Sequence, residues 1–208
     1  MSRHLRVLLC ILCAAAAPAS GAIISISGGG IIHHPSTSSP INVNPNQVQA
    51  NVLQGFDEQQ DVVLVSNLVV NLNGTNVTLL AGTMVDSHFL WFDPAAARTI
   101  TGVVATFDQQ VLGVILTDAG LFNTHDDFGL PDPSVVDYPS TNVFQYGTDG
   151  INIAFTSNSI TVSLTASSPG DHIRVLTVPS STAVPEASSF AIFFSLLFST
   201  RRRCTRME

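Results

Sequence analysis

The sequence predicts an all-β fold, an antiparallel β-sandwich of jelly-roll-like type, and three observations predict it. Short runs of β-branched and aromatic residues recur between residues 52 and 178, with turn residues roughly every 8–12 positions. The clearest run alternates Thr161, Ser163 and Thr165 with Val162, Leu164 and Ala166, the period of a sheet with one wet face. Nowhere in that stretch does the apolar pattern take a helical period.

The chain of 208 residues opens with Arg3 and Arg6, an apolar run over 7–17, and small residues around Ala17-Pro18-Ala19 and Ser20-Gly21-Ala22. A charged start, a short apolar stretch and a small-residue cleavage site describe a secretory signal peptide, taken here as residues 1–22. Cleavage after Ala19 and cleavage after Ala22 both fit. Residues 23–51, rich in Ser, Gly, Pro and Asn, read as a flexible or extended lead-in to a domain over 52–179.

Within that domain, 62–72 is rich in β-branched residues and runs into Asn73-Gly74, which supplies the positive φ of a tight hairpin, with 75–80 returning. The aromatic run 88–92 stops at Asp93-Pro94. Strands 99–107 and 111–116 flank Asp108-Gln109-Gln110, and strands 151–155 and 159–166 flank Thr156-Ser157-Asn158; both pairs read as hairpins. Ser167-Ser168-Pro169-Gly170 then turns the chain into 172–178. Between them, 117–142 is a long Asp- and Pro-rich loop, of a length that compact domains usually reserve for function.

Residues 180–208 form a tail. An apolar stretch over 187–200 would make about 21 Å of helix, short against a bilayer core of about 30 Å, and it is apolar on every face, which points to membrane or burial. Arg201, Arg202, Arg203 and Arg206 follow, so the chain end is expected on the cytoplasmic side and the domain outside.

Val184, Pro185 and Glu186, the apolar helix and the arginine cluster together resemble the bacterial PEP-CTERM sorting signal; the family's second proline is Ala187 here. The resemblance implies an exosortase-type processing enzyme as partner and a helix that holds the protein transiently in the membrane before cleavage near the motif. The stretch from about Gly55 to Thr177 also resembles a recurrent domain of PEP-CTERM proteins, through Phe56-Asp57-Glu58-Gln59-Gln60, Ser87-His88-Phe89, Phe92-Asp93-Pro94, Leu112-Gly113-Val114-Ile115 and the run from Ser167 to Val175. That likeness implies a secreted β-rich domain with no settled activity.

Charge narrows the partners. Between 23 and 184 there are two bases, Arg98 and Arg174, against thirteen acids, a balance of −11. Such a surface repels nucleic acid. Cys10, Cys13 and Cys204 all lie in the two terminal segments, so the domain has neither thiol chemistry nor disulfides.

No His-Glu-x-x-His, no Gly-x-Ser-x-Gly and no phosphate-cradling glycine loop is present, and the protein is expected to be non-catalytic. A glycoside hydrolase would need two facing carboxylates, and Glu58 is the only Glu available between 23 and 184. Arg174 calls for an acidic partner in so acidic a domain. His88, Asp93, His125, Asp126, Asp127 and His172 make a metal set only on paper, because their spacing is not that of ligands.

Calcium is the one cofactor the composition suggests: Asp126, Asp127 and Asp132, with Asp137, crowd one loop, although Asp beside Pro and Gly is equally turn chemistry. Phe89 and Trp91 share one strand face. Exposed, they would stack on sugars and make a carbohydrate-binding module for extracellular polysaccharide; buried, they are core. The first expectation is therefore an exported cell-surface or extracellular-matrix protein, with sugar binding second and carboxylate-based hydrolysis third.

Overall fold

The computed structural model describes residues 21–44, 50–138, 152–167 and 170–180. Residues 1–20 of the predicted signal peptide, the sorting residues Val184, Pro185, Glu186, Arg201, Arg202 and Arg203, and the expected helix over 187–200 lie outside the described residues, whereas residues 21 and 22 of that predicted leader are described and are bound to the fold. Among the described residues, no helix is long and apolar enough to cross a membrane.

The first strands are β1 (Ile23–Ile26), β2 (Ile31–Ile32), β3 (Ile41–Asn42), β4 (Gln54–Asp57) and β5 (Val62–Val63). They are followed by β6 (Leu68–Leu72), β7 (Thr75–Leu79), β8 (Met84–Phe92), β9 (Arg98–Phe107) and β10 (Val111–Ile115). Two short helices come next, α1 (Asp118–Asn123) and α2 (His125–Phe128), then β11 (Val136–Asp137), β12 (Asn152–Phe155), β13 (Ser159–Ala166) and β14 (Asp171–Thr177). The protein is all-β in class.

Among the described residues, one large sheet has the order β1-β9-β13-β12 and the other β2-β4-β8-β14-β10-β6-β7, with β5 pairing against β8, while β3 and β11 form a separate two-stranded sheet. The pairs β2–β4 and β3–β11 are parallel, unlike the antiparallel pairing expected. The facing sides of the two large sheets share one apolar core. Ile23, Ala105, Phe107, Ile160 and Val162 come from the first sheet, and Leu90, Phe92, Val114, Ile173 and Val175 from the second. The far side of the larger sheet carries a second core, in which Phe56, Phe89, Trp91 and Leu176 meet Leu121 of α1, Phe128 of α2, and Ile41, Val136 and Tyr138. Because this sheet is covered on both faces, every residue of β14 and all but the first of β8 are buried.

Several expected elements stand as read. The strand over 159–166 is β13. Asn73 and Gly74 take φ 52° and 76° and close the β6–β7 hairpin, and β12 pairs antiparallel with β13.

Four further features differ. The run 62–72 is two strands, because the chain leaves β8 after Val63 to pair β6 with β7 and β10. Strands β9 and β10 do not form a hairpin: they lie in different sheets, and the polar link between them carries the chain across. The lead-in is extended but built into the fold, since Ile23 and Ile26 enter the first core and Ile41 and Val43 the second. The long loop folds locally into α1 and α2, started by Thr117, whose Oγ1 accepts from Gly120 N at 3.0 Å, and held by burial of Leu121 and Phe128.

The compact unit that holds these strands runs from Ser20 to Ser180. Its two described ends meet at one side chain: Gly21 N and Ser180 N each donate to Asp86 Oδ2 at 3.1 Å. Asp108 holds the same ends, accepting from Ala22 N at 2.9 Å and from Ser180 Oγ at 3.1 Å.

Candidate functional site

Arg174 stands on β14 with its side chain in the second core, among Phe89 and Phe128, whose rings lie 5.7 and 5.6 Å from its guanidinium carbon. A cation there needs an anion, and Glu58, next after β4, supplies it. Arg174 Nε donates to Glu58 Oε2 at 2.6 Å and Nη2 to Oε1 at 2.8 Å, the two-pronged geometry a guanidinium favours. Arg174 is 0 % and Glu58 3 % exposed.

The pair sits in a shell of further donors and acceptors. Ser87 Oγ donates to Glu58 Oε2 at 2.7 Å and Tyr138 Oη to Oε1 at 3.0 Å. Arg174 Nη1 reaches Thr124 Oγ1 at 2.8 Å and the Leu121 carbonyl at 3.2 Å, so the guanidinium pins the α1–α2 junction to the sheet. Each carboxylate oxygen therefore has two donors, which is what makes a buried charge tolerable. Glu58 offers no free oxygen and no open face for a substrate.

Tyr138 links this buried network to a cavity of about 540 Å³ lined by Phe122, His125, Asp126, Leu130, Asp137 and Tyr138, among others. Leu130 N donates to Tyr138 Oη at 3.3 Å, and the His125 ring meets the Tyr138 ring edge-on at 4.5 Å. Burial, then the Glu58 charge, pushes the Tyr138 hydroxyl far above the ordinary phenol range, so it stays a donor. Burial, then the positive field of Arg174, lowers the pKa of His125, against a smaller upward pull from Glu58 and Asp126. The cavity thus offers a neutral imidazole, a neutral phenol and exposed carboxylates on Asp126 and Asp137.

Trp91 and Phe89, the candidate ligand contacts, are 1 % and 0 % exposed and lie in the second core. Phe56 packs against both, at ring separations of 5.7 and 5.6 Å, so neither ring offers a face to a sugar. The physical cause is the layer of α1, α2 and β11 over that side of the sheet, which the strand pattern alone does not contain.

The acids read as a calcium set stay apart in role. Asp126 and Asp127 lie exposed on α2, while Asp132 caps its own turn, accepting from Ser134 N at 2.9 Å and Ser134 Oγ at 2.6 Å, bonds that lower its pKa. Among the described residues, no group of three or more His, Cys, Asp or Glu is placed to hold a metal ion. Of the histidines, His88 is buried between the two sheets, with Nδ1 2.7 Å from Asp57 Oδ1 and Nε2 3.0 Å from Thr177 Oγ1, well separated in role from His125 on α2.

Sequence reasoning found Arg174 but not its shell. The signal was its status as one of two bases in an acidic domain; Ser87, Thr124 and Tyr138 carry no such mark. Comparison of the chain with protein-family models, curated proteins and solved structures found no match.

Proposed function

We propose that the protein is an exported, non-catalytic cell-surface or extracellular-matrix protein, sorted through its C-terminal tail by an exosortase-type enzyme. The observation that carries this reading is the tail itself: Val184-Pro185-Glu186, the apolar run over 187–200 and Arg201 to Arg203. Two structural facts support it. The compact unit closes at Ser180, so cleavage near Pro185 leaves the domain whole. Its most elaborate polar constellation, around Glu58 and Arg174, is saturated and closed, as a structural pair is and a catalytic pair is not. A jelly-roll-like sandwich suits this role, because the chain passes between the sheets at β8–β9, β9–β10 and β13–β14 and leaves both ends at one place.

Intact mass measured separately on membrane and extracellular fractions of the producing cell tests the reading. It expects an extracellular species ending near Pro185. Full-length protein found only in the cytoplasm overturns it.

Carbohydrate binding is a second reading, favoured by one observation: the cavity beside α2 combines Phe122, which is 44 % exposed, with Tyr138, His125 and two carboxylates. Its volume lies within the range of small-molecule sites. Retardation on polysaccharide gels that Phe122→Ala abolishes and Trp91→Phe leaves intact would place sugar there.

A further inference from the structure

The leader admits two cuts by its residues alone, because Ala17-Pro18-Ala19 and Ser20-Gly21-Ala22 both put small side chains at the positions a leader peptidase reads. The fold does not treat them equally. Gly21 is buried, and its N–H donates to Asp86 Oδ2, a carboxylate that is 1 % exposed. A Cβ at residue 21 would overlap that same oxygen, so the close approach depends on glycine.

Ala22 is tied twice to Asp108: its N–H donates to Oδ1 at 2.9 Å, and its carbonyl accepts from Asp108 N at 3.0 Å. Ile23 N then donates to Asp57 Oδ1 at 3.0 Å as β1 begins. Three successive backbone N–H groups thus meet three separate carboxylates before the sheet takes over.

From this we infer that the leader is cut after Ala19, so that Ser20-Gly21-Ala22 remains as the first segment of the mature domain. A leader is removed as the chain crosses the membrane and folds on the far side, so residues the fold uses belong to the mature protein. A cut after Ala22 would strip Gly21 from Asp86 and Ala22 from Asp108. The first of these matters more, because Asp86 is buried and its other donors are backbone groups, Asp61 N at 2.7 Å and Ser180 N at 3.1 Å. No described arginine is paired with it, since Arg174 binds Glu58 and Arg98 is exposed. Among the described residues its donors are all backbone N–H groups, and a buried carboxylate so held cannot spare one cheaply.

The cut itself is a hydrolysis: water adds across the Ala19–Ser20 peptide bond, leaving a carboxylate on Ala19 and an ammonium on Ser20.

The inference rests on the export reading, and one experiment separates the two. The full chain is expressed in a secreting bacterial host, and the exported protein is sequenced from its N-terminus, alongside Ala22→Leu and Gly21→Val. The expected start is Ser20-Gly21-Ala22-Ile23 in the wild type and Ser20-Gly21-Leu in Ala22→Leu, because a bulky residue at 22 does not touch a cut at 19. Gly21→Val should begin at Ser20 and melt below the wild type. An exported protein that begins at Ile23, or loss of processing in Ala22→Leu, overturns the inference and leaves the export reading standing. Gly21→Val melting with the wild type removes its structural ground. Retention of Met1 on a cytoplasmic chain removes the export reading and the inference with it.

Discussion

Arg174 and Glu58, 116 residues apart in the chain, meet through two hydrogen bonds in a part of the molecule from which solvent is excluded. The pair joins three things at once: the central strand β14, the end of β4, and the α1–α2 segment held through Leu121 and Thr124. Removing one partner leaves the other charge buried and unmatched, which typically costs about 3–5 kcal/mol. Arg174→Met should therefore lower the urea midpoint sharply, and Arg174→Lys should not restore it, because an ammonium cannot make the forked contact. The double variant Glu58→Leu with Arg174→Met should recover part of the loss. Equilibrium unfolding of the four proteins checks this.

Acid should act through His125. Burial and the field of Arg174 hold its pKa below 6.5, so below that pH the unfolded chain binds a proton that the folded chain refuses. Its contribution to stability is complete above pH 6.5 and is lost as the pH falls through the lower folded value. The difference in urea midpoint between pH 7.5 and pH 5 should be larger for the wild type than for His125→Asn.

Alkali should act through Tyr138 in the opposite sense. Its hydroxyl is held protonated by burial and by the Glu58 charge, whereas in the unfolded chain it ionises near pH 10. Stability is therefore full below that pH and falls as the pH rises beyond it. Ultraviolet titration should show a tyrosine that ionises only as the fold opens, and Tyr138→Phe should lack that phase.

Trp91 is the only tryptophan in the chain and is 1 % exposed, so fluorescence reports one site. Its emission should be blue-shifted and poorly quenched by acrylamide in the folded protein, and should move red on unfolding. Trp91→Ala should cost about 3–5 kcal/mol, the ordinary loss for emptying a large core position. Strong quenching of the folded protein by a soluble polysaccharide would contradict the buried placement.

Much of the sheet was legible because its signals are local. The alternation over 159–166 and the Asn73-Gly74 turn each specify their own geometry within a few residues, and both appear as read. The split of 88–92 into two faces was equally local: Phe89 and Trp91 enter one core, Leu90 and Phe92 the other.

What escaped depended on distant partners. Strands of two residues have no period, and β2 and β3 exist because Ile31 finds Gln54 and Ile41 finds Val136. The link at Asp108-Gln109-Gln110 has the composition of a hairpin turn, but the faces that β9 and β10 bury send them to different sheets. Helix α1 has six residues, less than the two turns an amphipathic pattern needs to declare itself. The network around Glu58 is drawn from five segments, so only Arg174 announced it. The acidic residues of the 117–142 region were visible as a composition, but their placement along α2 and a Ser134 turn was not.

The meeting of Gly21 and Ser180 at Asp86 also bears on how the domain carries a load. Both nitrogens lie 3.1 Å from the same oxygen, so they are at most twice that distance apart. Pulled apart by those two ends, the domain would be loaded first at the two carboxylates that clasp them, Asp86 and Asp108, before the tension reached the strands beyond. A few added residues would suffice to join the ends into a circle, and new ends opened at the exposed Asn73-Gly74 turn would leave both cores uncut.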